Sequence, residues 1–349
     1  NSDTGQVMGV AVRADLTGTF GIPKAGLYLF PGHEYAGRIE VINIGLPEAL
    51  ISGEKIKTSI IEQGDTGSLF PKRKLDTHKG SYGRLLVIAG SRGKTGAAAM
   101  AAVSAMRTGA GVVTLAVPKN LQPIYEMKLT EVMIEPLSEG EKWSIGENAL
   151  GEIIKLAEDK SALVLGPGIS PTQAAIKVMA GLIETITQPV VIDAGGIDAV
   201  AANPDILKNA KGPRIITPHP GEMGRLLGVS SKDVQADRAG IAKKYAVENN
   251  VFVVLKGAHT VIAAPDGKVF INTTGNPGMA TAGTGDALAG MIGGLLAQGI
   301  SPEKAAIAAV YLHGLAGDMV RDEKGEYGIM ATDVIEKIPL AIKKVAGGG

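Results

Sequence analysis

The stretch Asn276-Pro-Gly-Met-Ala-Thr-Ala-Gly-Thr-Gly-Asp286, continuing Ala-Leu-Ala-Gly290, is a glycine-bracketed loop that runs into a helix. Gly283 and Gly285 let backbone N–H groups converge without a Cβ in the way. Beyond them Leu288, Met291, Ile292, Leu295 and Leu296 fall at helical spacing. Loop amides and a helix N-terminus therefore meet at one point, which is an anion hole suited to phosphate. A carboxylate stands beside it. Asp286 can simply cap the helix, or it can act as a general base toward a hydroxyl next to the phosphate. For an isolated Gly-x-Gly-Asp the cap is the commoner case, so the rest of the chain has to decide.

Upstream of this loop, short β-branched runs alternate with helix-length segments. The runs are Leu85–Ala89, Val112–Val117, Ala162–Leu165, Pro189–Ala194, Arg214–Thr217 and Phe252–Leu255. The helical segments include Ala97–Thr108, Gln173–Ile186, Arg238–Asn249 and Pro302–Val320. Near-continuous apolar strands separated by helices imply an α/β fold, with a mostly parallel sheet covered on both faces. Asp266-Gly267 between Thr260–Ala264 and Val269–Thr273 reads as a hairpin turn. Ser301-Pro302 and Thr332-Asp333 read as helix starts.

Residues 1–52 are different. They read as β-rich, with runs Leu16–Phe20 and Ile39–Ile44 punctuated at Pro23, Pro31-Gly32 and Pro47. So short a stretch buries little core alone and must pack on something else. Residues 53–77 are polar and basic (Lys55, Lys57, Lys72, Arg73, Lys74) and read as a linker. The chain opens at Asn1, in what looks like a loop, and a fragment of a longer protein is expected. The only low-complexity feature is Gly347–Gly349.

Bulk composition narrows the function classes. Apolar residues make up 45% and charged residues 20% of the 349, enough for a globular core and against disorder. Aromatics are only 4% and glycines number 48, which suits a loop-rich enzyme better than an aromatic nucleic-acid platform. Formal net charge is zero, so no overall field draws the chain to nucleic acid or to an anionic membrane. Cysteine is absent, which rules out disulfides and thiolate metal sites and is compatible with a cytoplasmic location. The most apolar stretch, Ala287–Ile300, is shorter than the roughly 18 residues a membrane span requires. The five histidines (33, 78, 219, 259 and 313) show no zinc spacing. No nucleophile elbow is present. His313, in Tyr311-Leu-His313 on an apolar helix, reads as core.

Local readings of other segments remain open on their own. Lys256-Gly-Ala-His-Thr260, after a strand, is an ordinary turn or a cation for phosphate. In Thr217-Pro-His-Pro-Gly-Glu222 two prolines stiffen the backbone, and His219 taken alone reads as a structural hydrogen-bonder. Ala89-Gly-Ser-Arg-Gly-Lys-Thr95 is not a Walker loop. That pattern needs four residues between its first glycine and Gly-Lys-Thr, and Ile88 occupies the required glycine position.

Gly283-Thr-Gly-Asp-Ala-Leu-Ala-Gly290 resembles the signature loop of the ribokinase superfamily, and Gly275-Asn-Pro-Gly-Met279 resembles one branch of it, the ADP- or ATP-dependent NAD(P)H-hydrate dehydratases. His78-Lys-Gly-Ser-Tyr-Gly83, Gly166-Pro-Gly168, Thr217–Glu222 and Lys256–Thr260 agree in order and spacing. The likeness runs from about residue 53 to 345, with the domain itself expected over 78–345. It implies a ribokinase-like three-layer α/β/α sandwich. It also implies that Asp286 is the base and that Gly283 and Gly285 supply the anion hole. Lys256, Gly257, Ala258, His259 and Thr260 would bind the nucleotide, together with Asn276, Pro277, Gly278, Met279, Ala280, Thr281, Ala282 and Thr284. Ala97, Gly168, His219, Pro220, Gly221, Glu222, Met223, Gly224 and Arg225, with Asp286, would hold the hydrated nicotinamide. ADP or ATP and magnesium are the implied cofactors, with no residue assigned to the metal. One departure stands out: the family's Asp-Ala-Asp is Asp193-Ala194-Gly195 here, which bears on ligand or metal–water contacts and not on the fold.

Residues 1–52 resemble the C-terminal end of an NAD(P)H-hydrate epimerase domain, through Ala14-Asp-Leu-Thr-Gly-Thr-Phe-Gly-Ile-Pro-Lys24 and Ile44-Gly-Leu-Pro47. Taken alone, this chain is expected to have no epimerase activity. The resemblance further implies hydrated NADH or NADPH as substrate and a homo-oligomer, with the rest of the epimerase as a further partner. Two other readings stay beside it: a kinase of small alcohols such as vitamin precursors, and a nucleotide-binding module without turnover.

Overall fold

The computed structural model describes residues 1–53 and 56–347. Lys55 of the expected linker and the last two residues of the terminal glycine run lie outside these. A separate parallel pair is formed by β1 (Leu16–Phe20) and β2 (Arg38–Ile42). The main sheet contains β3 (Thr58–Ile60), β4 (Arg84–Ile88), β5 (Val112–Pro118), β6 (Met133–Leu137), β7 (Ala162–Leu165), β8 (Val190–Ile192), β9 (Arg214–Ile216), β10 (Phe252–Leu255), β11 (Val261–Ala263) and β12 (Val269–Ile271). Their spatial order is β3-β12-β11-β10-β9-β8-β7-β4-β5-β6. Among the described residues only β11 opposes the direction of the others, through the hairpin expected at Asp266-Gly267.

The apolar runs form strands because both of their faces are covered. Leu85, Val87 and Ala89 enter one core with helices Thr95–Arg107, Thr284–Ala297 and Pro302–Lys324. Leu86 and Ile88 enter the other, with Gln173–Thr185, Gly195–Ala202 and Arg238–Asn249. The same alternation splits Ala162 and Val164 from Leu163 and Leu165. This is the period of two expected of a strand buried on both sides.

The segment read as β-rich also carries short helices at Ala25–Tyr28, Gly32–Ala36 and Glu48–Gly53, and two strands fall where none was expected. Only part of 53–77 runs as a linker: Thr58–Ile60 pairs in parallel with β12 at the sheet edge, and Val269 N–H donates to the Lys57 carbonyl at 2.6 Å. Edge pairing is a backbone interaction, so a short polar run carries no side-chain signal of it. β6 is the second, a strand whose apolar character is interrupted by Glu135 and Pro136. Both are tolerated because β6 is the other edge of the sheet.

The strand order reverses between β4 and β7, since the chain first winds outward through β5 and β6 and then returns to the other side of β4. In open α/β sheets ligands gather at the carboxyl ends of strands flanking such a reversal. At the opposite end of the sheet lies a purely structural cation. Arg214, 1% exposed, donates from Nε and Nη2 to the Ile183 carbonyl at 3.0 and 2.8 Å and from Nη1 to the Gln188 carbonyl at 3.1 Å. It also reaches the Ile186 carbonyl, and so satisfies the C-terminus of the Gln173–Thr185 helix. Burial holds its pKa down to about 10. Arg214→Met strands several buried carbonyls and is expected to cost about 3 kcal/mol in denaturant unfolding. The turnover of the folded fraction should be unchanged.

Candidate active site

The site is assembled at the carboxyl ends of five neighbouring strands. Gly90-Ser91 comes after β4, Gly166-Pro167-Gly168 after β7, Asp193 after β8, Thr217 after β9 and Lys256 after β10. Ser91 Oγ donates to the Gly168 carbonyl at 2.7 Å, which ties the two loops at the reversal together.

A charge cluster lies at the centre. Asp193 is 2% exposed, and its Oδ1 accepts from Thr217 Oγ1 and from Lys256 Nζ, each at 2.7 Å. Glu222 Oε2, also buried, lies 3.9 Å from the same ammonium. Burial works against the Lys256 charge, but Asp193, Glu222 and Asp286 outweigh it and raise its pKa. Asp286 is driven the other way. Burial, then the negative charge of Asp193, push its carboxyl up to about 7, with Lys256 opposing. A carboxyl placed there can take and release a proton near neutrality.

Asp286 sits in the first turn of the Thr284–Ala297 helix. Gly283, the residue before it begins, has φ +96°, a conformation that favours glycine, and no side chain caps the helix. Asp286 is therefore not spent as an N-cap. Among the described residues the amides of Thr284, Gly285 and Asp286 have no partner, as first-turn donors have none within a helix. Thr284 Oγ1 donates to the Met279 and Thr281 carbonyls at 3.2 and 3.0 Å and pins the loop. Asn276 is held too: its Oδ1 accepts from Gly278 N–H at 3.1 Å and its Nδ2 donates to Asp318 at 3.0 Å. A Cβ at Gly285 would lie 3.3 Å from Lys256 Nζ, so the ammonium stands directly beside the free amides.

Two chambers meet at this turn. One, of about 560 Å³, is lined by Lys256, Gly257, Ala258, His259, Thr260, Asn276, Pro277, Met279, Ala280, Thr284 and Gly285. The other, of about 500 Å³, is lined by Ala97, Gly168, Glu222, Ala282, Gly283 and Asp286. The turn from Gly283 to Asp286 thus contributes to both walls, and both volumes suit small-molecule sites.

Several residues expected in the site line neither chamber, and one lines the other chamber from the one expected. His219 Nδ1 accepts from the amides of Gly221 and Glu222 at 3.0 and 3.3 Å, while Glu222 Oε2 accepts from His219 N–H at 2.8 Å. His219 is thereby the cap of the Pro220–Leu227 helix, and Pro220 and Gly221 form its first turn. Met223 is fully buried in the core, and Gly224 packs against the Val229 carbonyl. Arg225 reaches the second chamber only indirectly, pairing at 3.2 Å with Asp198 on its wall. Gly278 faces Glu326 and Ile329, and Thr281 lends only its carbonyl. Ala282 lies on the second chamber instead of the nucleotide side.

At the departure from the family pattern, Ala194 has φ +44° and Gly195 begins a helix. A Cβ on Gly195 would lie 2.8 Å from the Ile169 carbonyl, so this turn as built has no room for an aspartate. Asp198, one turn on, is the carboxylate this segment offers to the chamber.

The chambers are also lined by residues that were not expected in the site. Phe30, His33 and His313 border the larger chamber, and Lys94, Met100 and Asp198 the smaller. His313, expected in the core, is enclosed there and also borders the larger chamber. Its enclosure lowers its pKa to about 4, and among the described residues its Nε2 has no hydrogen-bond partner. The available signal is that an imidazole on an otherwise apolar helix face needs a partner.

Comparison with known proteins bears on the family and the fold. The family model for NAD(P)H-hydrate dehydratase matches residues 85–340. The bifunctional NAD(P)H-hydrate repair enzyme Nnr of Moorella thermoacetica is 42% identical over 344 residues, covering 99% of this chain, which spans 65% of that protein's length. The ADP-dependent (S)-NAD(P)H-hydrate dehydratase of Bacillus subtilis is 36% identical over 78% of this chain and 94% of its own. The crystal structure of the Bacillus subtilis ADP/ATP-dependent NAD(P)H-hydrate dehydratase, co-crystallized with ATP/Mg2+, superposes with a TM-score of 0.72. It is 32% identical and covers 82% of this chain and 98% of its own. With its mostly parallel sheet between two helical layers and Asp286 at the head of the glycine-flanked helix, this chain belongs to the NAD(P)H-hydrate dehydratase family and has its ribokinase-like fold.

Proposed function

We propose that this chain dehydrates the S epimer of hydrated NADH or NADPH, using ADP or ATP as phosphate donor. One observation carries the reading: Asp286, pushed up to about 7, lies on the turn that separates two chambers, beside Lys256 and three free amides. The larger chamber takes the nucleotide and the smaller takes the hydrated nicotinamide. Asp286 removes the proton from the ring hydroxyl as its oxygen bonds to the terminal phosphorus, and the bond from that phosphorus to the remaining nucleotide breaks. The amides and the Lys256 ammonium stabilise the charge on the phosphate during transfer. The ring C–O bond of the ester then breaks, phosphate leaves, the adjacent carbon gives up a proton and the ring double bond returns.

Among the described residues no three His, Cys, Asp or Glu side chains converge into a metal cage. The donor set suits magnesium carried on nucleotide phosphates and water, with Asp286 as the nearest carboxylate of the loop. Such an ion would neutralise phosphate charge.

An unprotonated Asp286 is required, so kcat/KM for the hydrate should rise with pH along a limb centred about 7 and level off above it. A pH–rate series on the purified protein checks this. A limb near the ordinary carboxylate range would remove Asp286 from the role of base. Phosphorus NMR of the products should show AMP and orthophosphate from ADP, whereas a persistent ester would identify a small-alcohol kinase instead.

The proposal extends to residues 1–52 as the end of an epimerase domain. Leu16, Phe20, Val41 and Ile42 on β1 and β2 are 42–63% exposed, an apolar face suited to the rest of such a domain. A cytoplasmic, homo-oligomeric enzyme is part of the same proposal. Among the described residues no helix is long and apolar enough to cross a membrane.

A further inference from the structure

The larger chamber has a wall that the dehydratase family model, which begins at residue 85, does not contain. Phe30 and His33, from the leading segment, line it together with His259. The three rings pack on one another. Phe30 stands edge-on to His33 and His259 at centroid distances of 5.5 and 5.3 Å, and the two imidazoles are 4.3 Å apart. The chain has only 5 phenylalanines and 5 histidines, and one of the first and two of the second meet at this cavity.

The segment is fixed in place and does not merely lie nearby. Leu29 is 3% exposed and joins the core formed with the helices on its side of the sheet. The Tyr28 carbonyl accepts from His259 Nδ1, and the Leu27 carbonyl from His33 Nδ1 at 3.1 Å. A carbonyl only accepts, so each neutral ring carries its proton on Nδ1 and keeps Nε2 as an acceptor. Burial holds the pKa of His259 below its ordinary value, which favours the neutral ring.

The same chamber is also lined by Lys256 and by Gly285, beside the free amides, and these are the groups suited to phosphate. What remains for the aromatic wall is the base. Flat rings stack on aromatic side chains, and histidine Nε2 can accept from an exocyclic amine. We infer that the leading segment completes the nucleotide chamber: Phe30 and His33, with His259, form the wall on which the purine base stacks. The inference rests on the chamber being the nucleotide site. It also makes nucleotide binding and the docking of residues 25–36 reciprocal, since a ligand touching both must tighten both.

The test is calorimetric titration of the full chain with ADP and with ATP, in magnesium, alongside steady-state kinetics. Phe30→Leu keeps an apolar side chain but loses the ring. It should weaken nucleotide binding about tenfold or more and raise the nucleotide KM, leaving kcat and the hydrate KM near wild type. Phe30→Tyr keeps the ring and should restore affinity, which a merely structural role for bulk at this position would not require of Leu and Tyr in that order. In the unaltered protein, ADP should slow amide hydrogen exchange across residues 27–36. If Phe30→Leu binds nucleotide as wild type does, or if exchange there is indifferent to ADP, the inference fails while the dehydratase reading stands. If the wild-type protein binds neither nucleotide, the reading of the chamber fails and takes the inference with it.

Discussion

Asp286→Asn is expected to lower turnover by about a thousandfold, within the 10²–10⁴ range typical of a general base, while nucleotide affinity stays within a few fold and the unliganded protein becomes more stable. The amide keeps the shape of the turn, because Asp286 does not cap the helix and its backbone position is set by Gly283 and Thr284. It cannot accept the hydroxyl proton. The stability effect comes from the sign of the shift. Burial and Asp193 raise this carboxyl in the folded protein to about 7, above its ordinary value. The folded state therefore holds a proton that the unfolded chain has lost, and the favourable contribution present at low pH disappears as pH rises from the carboxylate range through about 7. Asparagine has no such charge to form. Above neutrality the variant should gain on the order of 2 kcal/mol, visible as a higher Tm and as a flatter stability profile between those pH values. An inactive but more stable protein is the pattern of a residue held in an unfavourable setting for its chemistry. A variant that keeps most of its turnover would exclude Asp286 as the base.

Lys256→Met is expected to cost in both respects. Among the described residues the ammonium is the only cation within bonding distance of Asp193, and it also lies near Glu222 and beside the anion loop. Its loss leaves Asp193, 2% exposed, with a single hydroxyl donor from Thr217. Removing one partner of a buried ion pair typically costs about 3–5 kcal/mol, and denaturant unfolding should show a loss of that order. Lys256 is also the one charge that opposes the rise of Asp286, so any remaining activity should have its alkaline-rising limb shifted above 7. Nucleotide affinity should fall, since the phosphate end of the chamber loses its cation. Adding Asp193→Asn removes the stranded charge. The double variant should recover much of the stability and none of the nucleotide affinity, which separates the two roles of Lys256.

The layout of this fold is legible wherever side chains report it. Strands such as Ala162–Leu165 and Phe252–Leu255 are buried on both faces, and their unbroken apolar runs mark their boundaries directly. Edge strands are not legible. Thr58–Ile60 and Met133–Leu137 are held by backbone pairing on one side only, which tolerates polar residues and proline. In the site, the anion loop shows itself through Gly283 and Gly285, whose placement leaves little other use for them. The roles of neighbours within a motif are less clear. His219, read locally as a structural hydrogen-bonder and given a ligand role only through the family resemblance, caps the Pro220–Leu227 helix with its ring. Met223 and Gly224 come after it in sequence but point into the core, as helical periodicity requires of some residues in any turn. Conversely, Phe30 and His33 reach the larger chamber from elements far away in the chain, and nothing local marks such a contact.

That the two chambers share one reaction is tested most directly by the near-ultraviolet absorbance of reduced nicotinamide after the folded protein meets hydrated NADH and magnesium. Absorbance should rise only when ADP or ATP is added, with one nucleotide consumed per molecule of NADH restored. No rise with either nucleotide, from a protein that binds both, would contradict it.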